Sequence, residues 1–105
     1  MKLNVTRLEK SDLVKVVGDI DIDTVEEVEE VCSALEVSNL VIDLTEVTFI
    51  DTSGLHFLVR LLNRVGDEGE MVLLVAPDGP VQLLIKLSGL SEQFMIVESD
   101  DAVVG

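Results

Sequence analysis

Three times along this chain a short apolar run gives way to an apolar stripe at helical spacing. Leu13-Val14-Lys15-Val16-Val17 is followed by Val25, Val28, Val31, Cys32 and Leu35. Asn39-Leu40-Val41-Ile42-Asp43-Leu44 is followed by Leu55, Leu58, Val59, Leu62 and Val65. Met71-Val72-Leu73-Leu74-Val75 is followed by Val81, Leu84, Ile85 and Leu87. The short runs suit strands, and the stripes suit helices that bury one face. Strand–helix–strand units impose parallel pairing through right-handed crossovers. The fold class is therefore α/β.

The ends of the chain complete the pattern. Leu3, Val5 and the stretch to Leu8 alternate with polar residues, and Glu9-Lys10-Ser11-Asp12 separates them from the next run, as in a β-hairpin. Phe94-Met95-Ile96-Val97 reads as a last strand, and Ser99 as the cap of a brief terminal helix to Val104. The expected order is β-β-α-β-α-β-α-β-α in one domain, residues 1–105. The sheet is mixed and mostly parallel, with an N-terminal antiparallel hairpin and helices packed on its faces. Gly18 closes the second strand in this reading. Thr24 with Glu27 makes a capping box for the first helix, and Gly66 or Gly69 ends the second. Pro80 starts the third helix and Gly89 stops it. The nearly continuous run from Leu40 to Leu44 suits a strand covered on both faces.

The second apolar run leads into Val47-Thr48-Phe49-Ile50-Asp51-Thr52-Ser53-Gly54-Leu55, where helical periodicity begins at once. Two adjacent hydroxyls thus meet a helix start, beside a carboxylate and a glycine that keeps the backbone open. Unpaired N–H groups and the helix dipole make such a place receptive to an anion. Thr52 or Ser53 caps the helix on the plainest reading. An exposed hydroxyl there also suits phosphate transfer from a kinase. Local chemistry leaves both open.

Other functions fit poorly. Seven basic against twenty-one acidic residues give a net charge of −14, which repels nucleic acid and anionic membranes. No apolar segment approaches the roughly 18 residues of a membrane span. Met1 to Lys10 lacks the apolar block of a signal peptide. A lone cysteine allows no internal disulfide, as suits the cytoplasm. Cys32 falls on an apolar stripe and His56 follows the turn, and neither has the partners of a nucleophile or base. No enzyme activity is expected. Asp19, Asp21, Asp23, Glu27 and Glu30 match part of a calcium-loop spacing, but Thr24 stands where glycine is needed. The glycine turns at Gly66–Gly69 and Asp78–Pro80 are acidic and lack the lysine of a nucleotide loop. Neither a metal nor a cofactor is expected.

Four motifs together carry a resemblance: Gly18-Asp19-Ile20-Asp21, Leu40-Val41-Ile42-Asp43-Leu44, Phe49-Ile50-Asp51-Thr52-Ser53-Gly54-Leu55 and Leu87-Ser88-Gly89-Leu90. In this order and spacing the chain resembles the STAS domain family, specifically the stand-alone bacterial anti-sigma factor antagonists, over nearly its whole length. The resemblance implies a STAS-like fold and transcription regulation by partner switching, as in stress response or sporulation. The unphosphorylated antagonist binds an anti-sigma factor that is also a serine/threonine kinase, and phosphorylation releases it. A PP2C-like phosphatase reverses the modification. The acceptor aligns with Thr52, where many members carry serine, and Ser53 is the second choice. Asp21 matches an acidic residue near the switch. Asp19, Asp23, Asp51, Gly54 and His56 complete the expected docking surface of a chain that is monomeric when free. The alternative the family suggests is an unphosphorylated subunit of a transport complex, such as a lipid ABC transporter.

Overall fold

The structure, a computed structural model, describes residues 1–35 and 39–99. The elements run β1 (Lys2–Arg7), β2 (Asp12–Ile20), α1 (Val25–Ser33), β3 (Asn39–Ile50), α2 (Thr52–Val65), β4 (Glu70–Val75), α3 (Pro80–Leu87) and β5 (Met95–Glu98). The terminal helix expected after Ser99 lies outside the described residues. The five strands lie in the order β1-β2-β3-β4-β5. β1 is antiparallel to β2, and the other pairs are parallel. The mixed α/β class expected from the alternation of runs and stripes is the observed one.

Each crossover moves one strand further in the same direction, so right-handed connections set all three helices on one face. One core cluster joins Val28 and Cys32 of α1, Leu58 and Leu61 of α2 and Val81 and Ile85 of α3 to Val16, Ile42 and Leu73 of the sheet. Alternate strand residues point the other way. Leu13 and Leu74 are buried there without joining that cluster. Asp43 of β3 is buried on that side as well, so the centre of the sheet is covered on both faces, as the apolar run of β3 suggested, with the three described helices on one of them.

The longest strand exceeds its sequence signal. β3 runs twelve residues to Ile50, although polar Thr45, Glu46 and Thr48 break its apolar pattern. Its pairing with β2 shifts register between Lys15 and Val17 and again between Gly18 and Asp19. At the first shift the Asp43 carboxylate accepts from the Thr45 N–H (3.0 Å) and hydroxyl (2.6 Å), a local bond that competes with ladder pairing. Lys15 reaches Glu46 across the strands at 2.5 Å, and that bond raises the lysine pKa. At the second shift Gly18 has φ +112°, a backbone conformation that side chains disfavour. Gly18 is thus a bulge inside β2 and not its end. The irregularity carries Ile20 and Ile50 into adjacent positions at the strand ends.

The helix faces also differ in detail from the expected stripes. Phe57 and Leu61 are buried on α2, while Val59 and Leu62 are half-buried. The reason is that α2 packs against α1 as well as against the sheet, which rotates and widens its covered face. On α3, Leu87 is 77% exposed and Gln82 is buried. The Gln82 amide is satisfied, accepting from the Asp78 N–H (3.0 Å) and donating to Glu98 (2.5 Å). Gly66, at φ +73°, ends α2 and returns its N–H to the Leu62 carbonyl. Arg64 of α2 donates to the carbonyls of Cys32 (2.8 Å) and Leu35 (2.8 Å), satisfying acceptors at the end of α1.

Burial pushes the Cys32 thiol up to about 11 from its ordinary 9.0; Glu29 adds to the rise and Arg64 opposes it. The folded chain therefore keeps a proton that the unfolded chain loses first, and stability falls as pH rises through this window. Between about pH 9 and about pH 11, urea unfolding of the wild type should lose on the order of 2 kcal/mol more than that of Cys32→Ala. Equal losses would show that the thiol ionises alike in both states.

Candidate functional site

The end of β3 and the start of α2 meet at Asp51. Its backbone is extended (φ −112°, ψ −171°), and its carboxylate accepts from the N–H groups of Ser53 (2.9 Å) and Gly54 (3.3 Å). Asp51 is therefore the cap, and neither Thr52 nor Ser53 caps α2 as expected. Two of the donors that could have received an external anion, the N–H groups of Ser53 and Gly54, are engaged by the chain's own carboxylate. The Asp51 N–H itself donates to the Ile20 carbonyl at 3.2 Å, tying the turn to the end of β2.

Thr52 is the first residue of α2 and is exposed. Its hydroxyl has no hydrogen-bond partner among the described residues. Ser53 is half-buried, and Gly54 is buried. A Cβ on Gly54 would lie 2.7 Å from Ile50 Cγ1 and 2.9 Å from Ile20 Cγ2. The glycine thus allows the first turn of α2 to press onto two strand ends, rather than keeping the backbone open for a ligand. His56 lies one turn beyond Thr52 on the same side of the helix and is exposed.

The loop from β2 to α1 forms the other bank of the site. Asp21 accepts from the N–H groups of Asp23 (2.9 Å) and Thr24 (3.2 Å) through its carboxylate. Its carbonyl accepts from the Val25 N–H at 2.8 Å. Thr24 Oγ1 accepts from the Asp21 N–H (2.9 Å) and donates to the Asp19 carbonyl (2.8 Å). The expected Thr24–Glu27 capping box does not form, because Thr24 turns back into the loop and makes no side-chain cap bond. Asp21 takes over the turn. Asp19 accepts from the Thr48 hydroxyl at 2.6 Å, which binds this loop to β3. Asp23 is exposed.

The carboxylates of Asp19 and Asp21 thus serve separate local bonds. Among the described residues, no group of three or more histidine, cysteine or acidic side chains is arranged to hold a metal ion. Cys32 lines a cleft of about 120 Å³ between α1 and α2, with Phe57, Arg60 and Arg64. Arg60 there pairs with Glu29. That volume is small beside the roughly 300–1,000 Å³ of a ligand pocket. No helix among the described residues is long and apolar enough to cross a membrane.

What the sequence concealed is how the two segments join. Bulges bring Asp19 beside Phe49 and Ile20 beside Ile50, and no local pattern announces this register. The helix start was legible from the onset of the stripe, but its cap was assigned to Thr52 or Ser53, one or two residues beyond Asp51, which fills the role. Thr24 gave a misleading signal, because its spacing to Glu27 fits a capping box as well as a loop.

The geometry describes a mixed sheet with a capped turn at the end of its central strand. Residues 3–102 match the family model of the STAS domain, and the chain belongs to that family. The chain is similar to the anti-sigma-B factor antagonist of Staphylococcus aureus (strain NCTC 8325 / PS 47), at 26% identity over 96% of this chain and 98% of the relative. It is also similar to the crystal structure of an anti-sigma factor antagonist from Mycobacterium paratuberculosis. There the identity is 27% and the TM-score 0.86, over 95% of this chain and 87% of the other. The unphosphorylated form of the anti-sigma factor antagonist SpoIIAA shares the fold, with a TM-score of 0.70 at 19% identity over 95% of this chain and 90% of that one.

The packing at the turn makes a direct prediction. Gly54→Ala should cost about 1–3 kcal/mol by overpacking against Ile20 and Ile50, and Asp51→Ala about 1 kcal/mol through loss of the cap. Thr52→Ala should stay within about 0.5 kcal/mol of wild type, as an exposed site without partners. Urea denaturation of the three variants measures the order. A Gly54→Ala protein as stable as Thr52→Ala would refute the close contact.

Proposed function

We propose that this chain is an anti-sigma factor antagonist whose partner binding is gated by phosphorylation of Thr52. The unphosphorylated turn docks on an anti-sigma factor that is a serine/threonine kinase, which frees a sigma factor for transcription. Transfer of a phosphoryl group to Thr52 ends the association, and a PP2C-like phosphatase restores it. The names of the relatives support the antagonist role. The observation that carries the choice of residue is the hydroxyl of Thr52: exposed, without a hydrogen-bond partner among the described residues, and relieved of capping by Asp51. Ser53 is less accessible, and its N–H is bound to Asp51.

The chemistry asks little of this chain. The Thr52 oxygen attacks the γ-phosphorus of ATP, its bond to phosphorus forms as the bond to the leaving ADP breaks, and a base of the kinase takes the hydroxyl proton. What the chain supplies is an accessible nucleophile on a rigid helix start. The product adds about −1.5 to −2 charges. The Asp51 carboxylate already occupies the N–H groups of Ser53 and Gly54, so the new phosphate is a like charge beside it with those donors engaged. A partner surface shaped for a neutral hydroxyl then faces both repulsion and desolvation.

Incubation with the anti-sigma factor kinase and magnesium ATP should add one phosphate, mapped to Thr52 by mass spectrometry, and Thr52→Ala should take none. Thr52→Glu should bind the kinase at least about tenfold more weakly than Thr52→Ala, a difference of about 1.4 kcal/mol. Undiminished phosphorylation of Thr52→Ala would overturn the acceptor assignment. Capture of an ABC transporter ATPase in place of a kinase would favour the transport-subunit reading.

A further inference from the structure

Two large apolar side chains at the switch end of the molecule remain in solvent. Ile22, in the loop between β2 and α1, is 72% exposed, and Phe49, near the end of β3, is 49% exposed. The fold brings them to one place. Phe49 is the register partner of Asp19, three residues before Ile22, and the Thr48 hydroxyl is bonded to Asp19. Ile22 follows the Ile20 carbonyl that receives the Asp51 N–H. Both residues therefore lie at the end of the sheet that carries Thr52.

Neither exposure serves the fold. Ile22 sits in a loop closed by the Asp21 and Thr24 bonds, which do not require an apolar residue at its tip. Phe49 stands between Thr48 and Ile50 on a strand whose buried positions are already filled. Around them lie Asp19, Asp21, Asp23 and Asp51, and no lysine or arginine falls within residues 16–59. Exposed apolar residues among carboxylates match the composition of a protein interface, with apolar anchors and a charged rim.

We propose that Ile22 and Phe49 are the anchors of the partner-binding surface, and that they fit an apolar recess edged by lysine or arginine on the anti-sigma factor. This deepens the function proposed above and rests on it. Charge complementarity selects the occupant: a second copy of this chain would oppose the same carboxylates to one another, and an acidic partner would be repelled. The arrangement also explains how a phosphate on Thr52 would act. A partner seated on both anchors occupies the same end of the sheet as Thr52, so charge added there falls at the contact.

The test measures binding of the full chain to the purified anti-sigma factor by calorimetry, at low and at physiological salt. Each of Ile22→Ser and Phe49→Ser should weaken binding about tenfold or more, as expected for loss of an anchoring side chain. Leu87→Ser, at a still more exposed apolar position on α3, should bind as wild type. Affinity should fall as salt rises, from screening of the charged rim. All three variants should retain the circular dichroism and melting of wild type, because the positions are exposed. Wild-type affinity in both Ile22→Ser and Phe49→Ser, or equal weakening by Leu87→Ser, would overturn the anchors while leaving the antagonist reading intact. No binding by the wild type would overturn both. Phe49→Leu, which keeps most of the apolar surface, should recover much of the affinity; failure to do so alongside a lost fold in Phe49→Ser would assign Phe49 to stability.

Discussion

One carboxylate organises the working end of this molecule. Asp51 follows the last residue of the longest strand, gives its N–H to the Ile20 carbonyl and caps α2 through Ser53 and Gly54. The three bonds fix the angle between strand and helix, and they free the next residue, Thr52, from structural duty. Gly54 completes the arrangement by allowing α2 to descend onto Ile20 and Ile50 at a distance no side chain could tolerate. A hydroxyl on such a base moves little. A partner can therefore read its chemical state without the domain having to refold.

The same cap alters the electrostatic reasoning about the turn. A bare helix start would stabilise an added phosphate through its N–H groups and dipole. Here the N–H groups of Ser53 and Gly54 already serve Asp51, and the surrounding loop contributes further carboxylates. A phosphate on Thr52 would gain little locally and would express its charge outward, towards whatever is bound. That is the property required of a switch that works by release. The carboxylates of Asp21 and Asp19 are themselves pinned by backbone and hydroxyl donors, which holds that part of the surface in shape.

Much of this was legible in the sequence because the relevant signals are local. Alternating runs and stripes specify elements, and right-handed crossovers order them. The turn was visible as a change of period at Asp51. What stayed hidden depends on contacts between segments distant in sequence. The polar residues of β3 concealed a twelve-residue strand, since its continuity comes from pairing with β2 through two register shifts. Phe57 and Leu61 were missed as core residues because their burial requires α1 as a neighbour. Leu87 was misjudged for the converse reason, as its side of α3 has nothing packed on it among the described residues. Thr24 shows the limit of motif reading. Its hydroxyl had a capping partner in the sequence and found a stronger arrangement within the loop.

The central claim is that charge at Thr52, and not a change of fold, controls association. The most direct measurement compares the chain phosphorylated to completion with the unmodified chain, in calorimetric binding to the anti-sigma factor and in amide hydrogen exchange. The account predicts binding at least about a hundredfold weaker for the phosphorylated chain, or about 2.8 kcal/mol, with exchange in α2 and the sheet unchanged. Equal affinity of the two forms would contradict it, and so would weakened binding accompanied by loss of protection throughout α2.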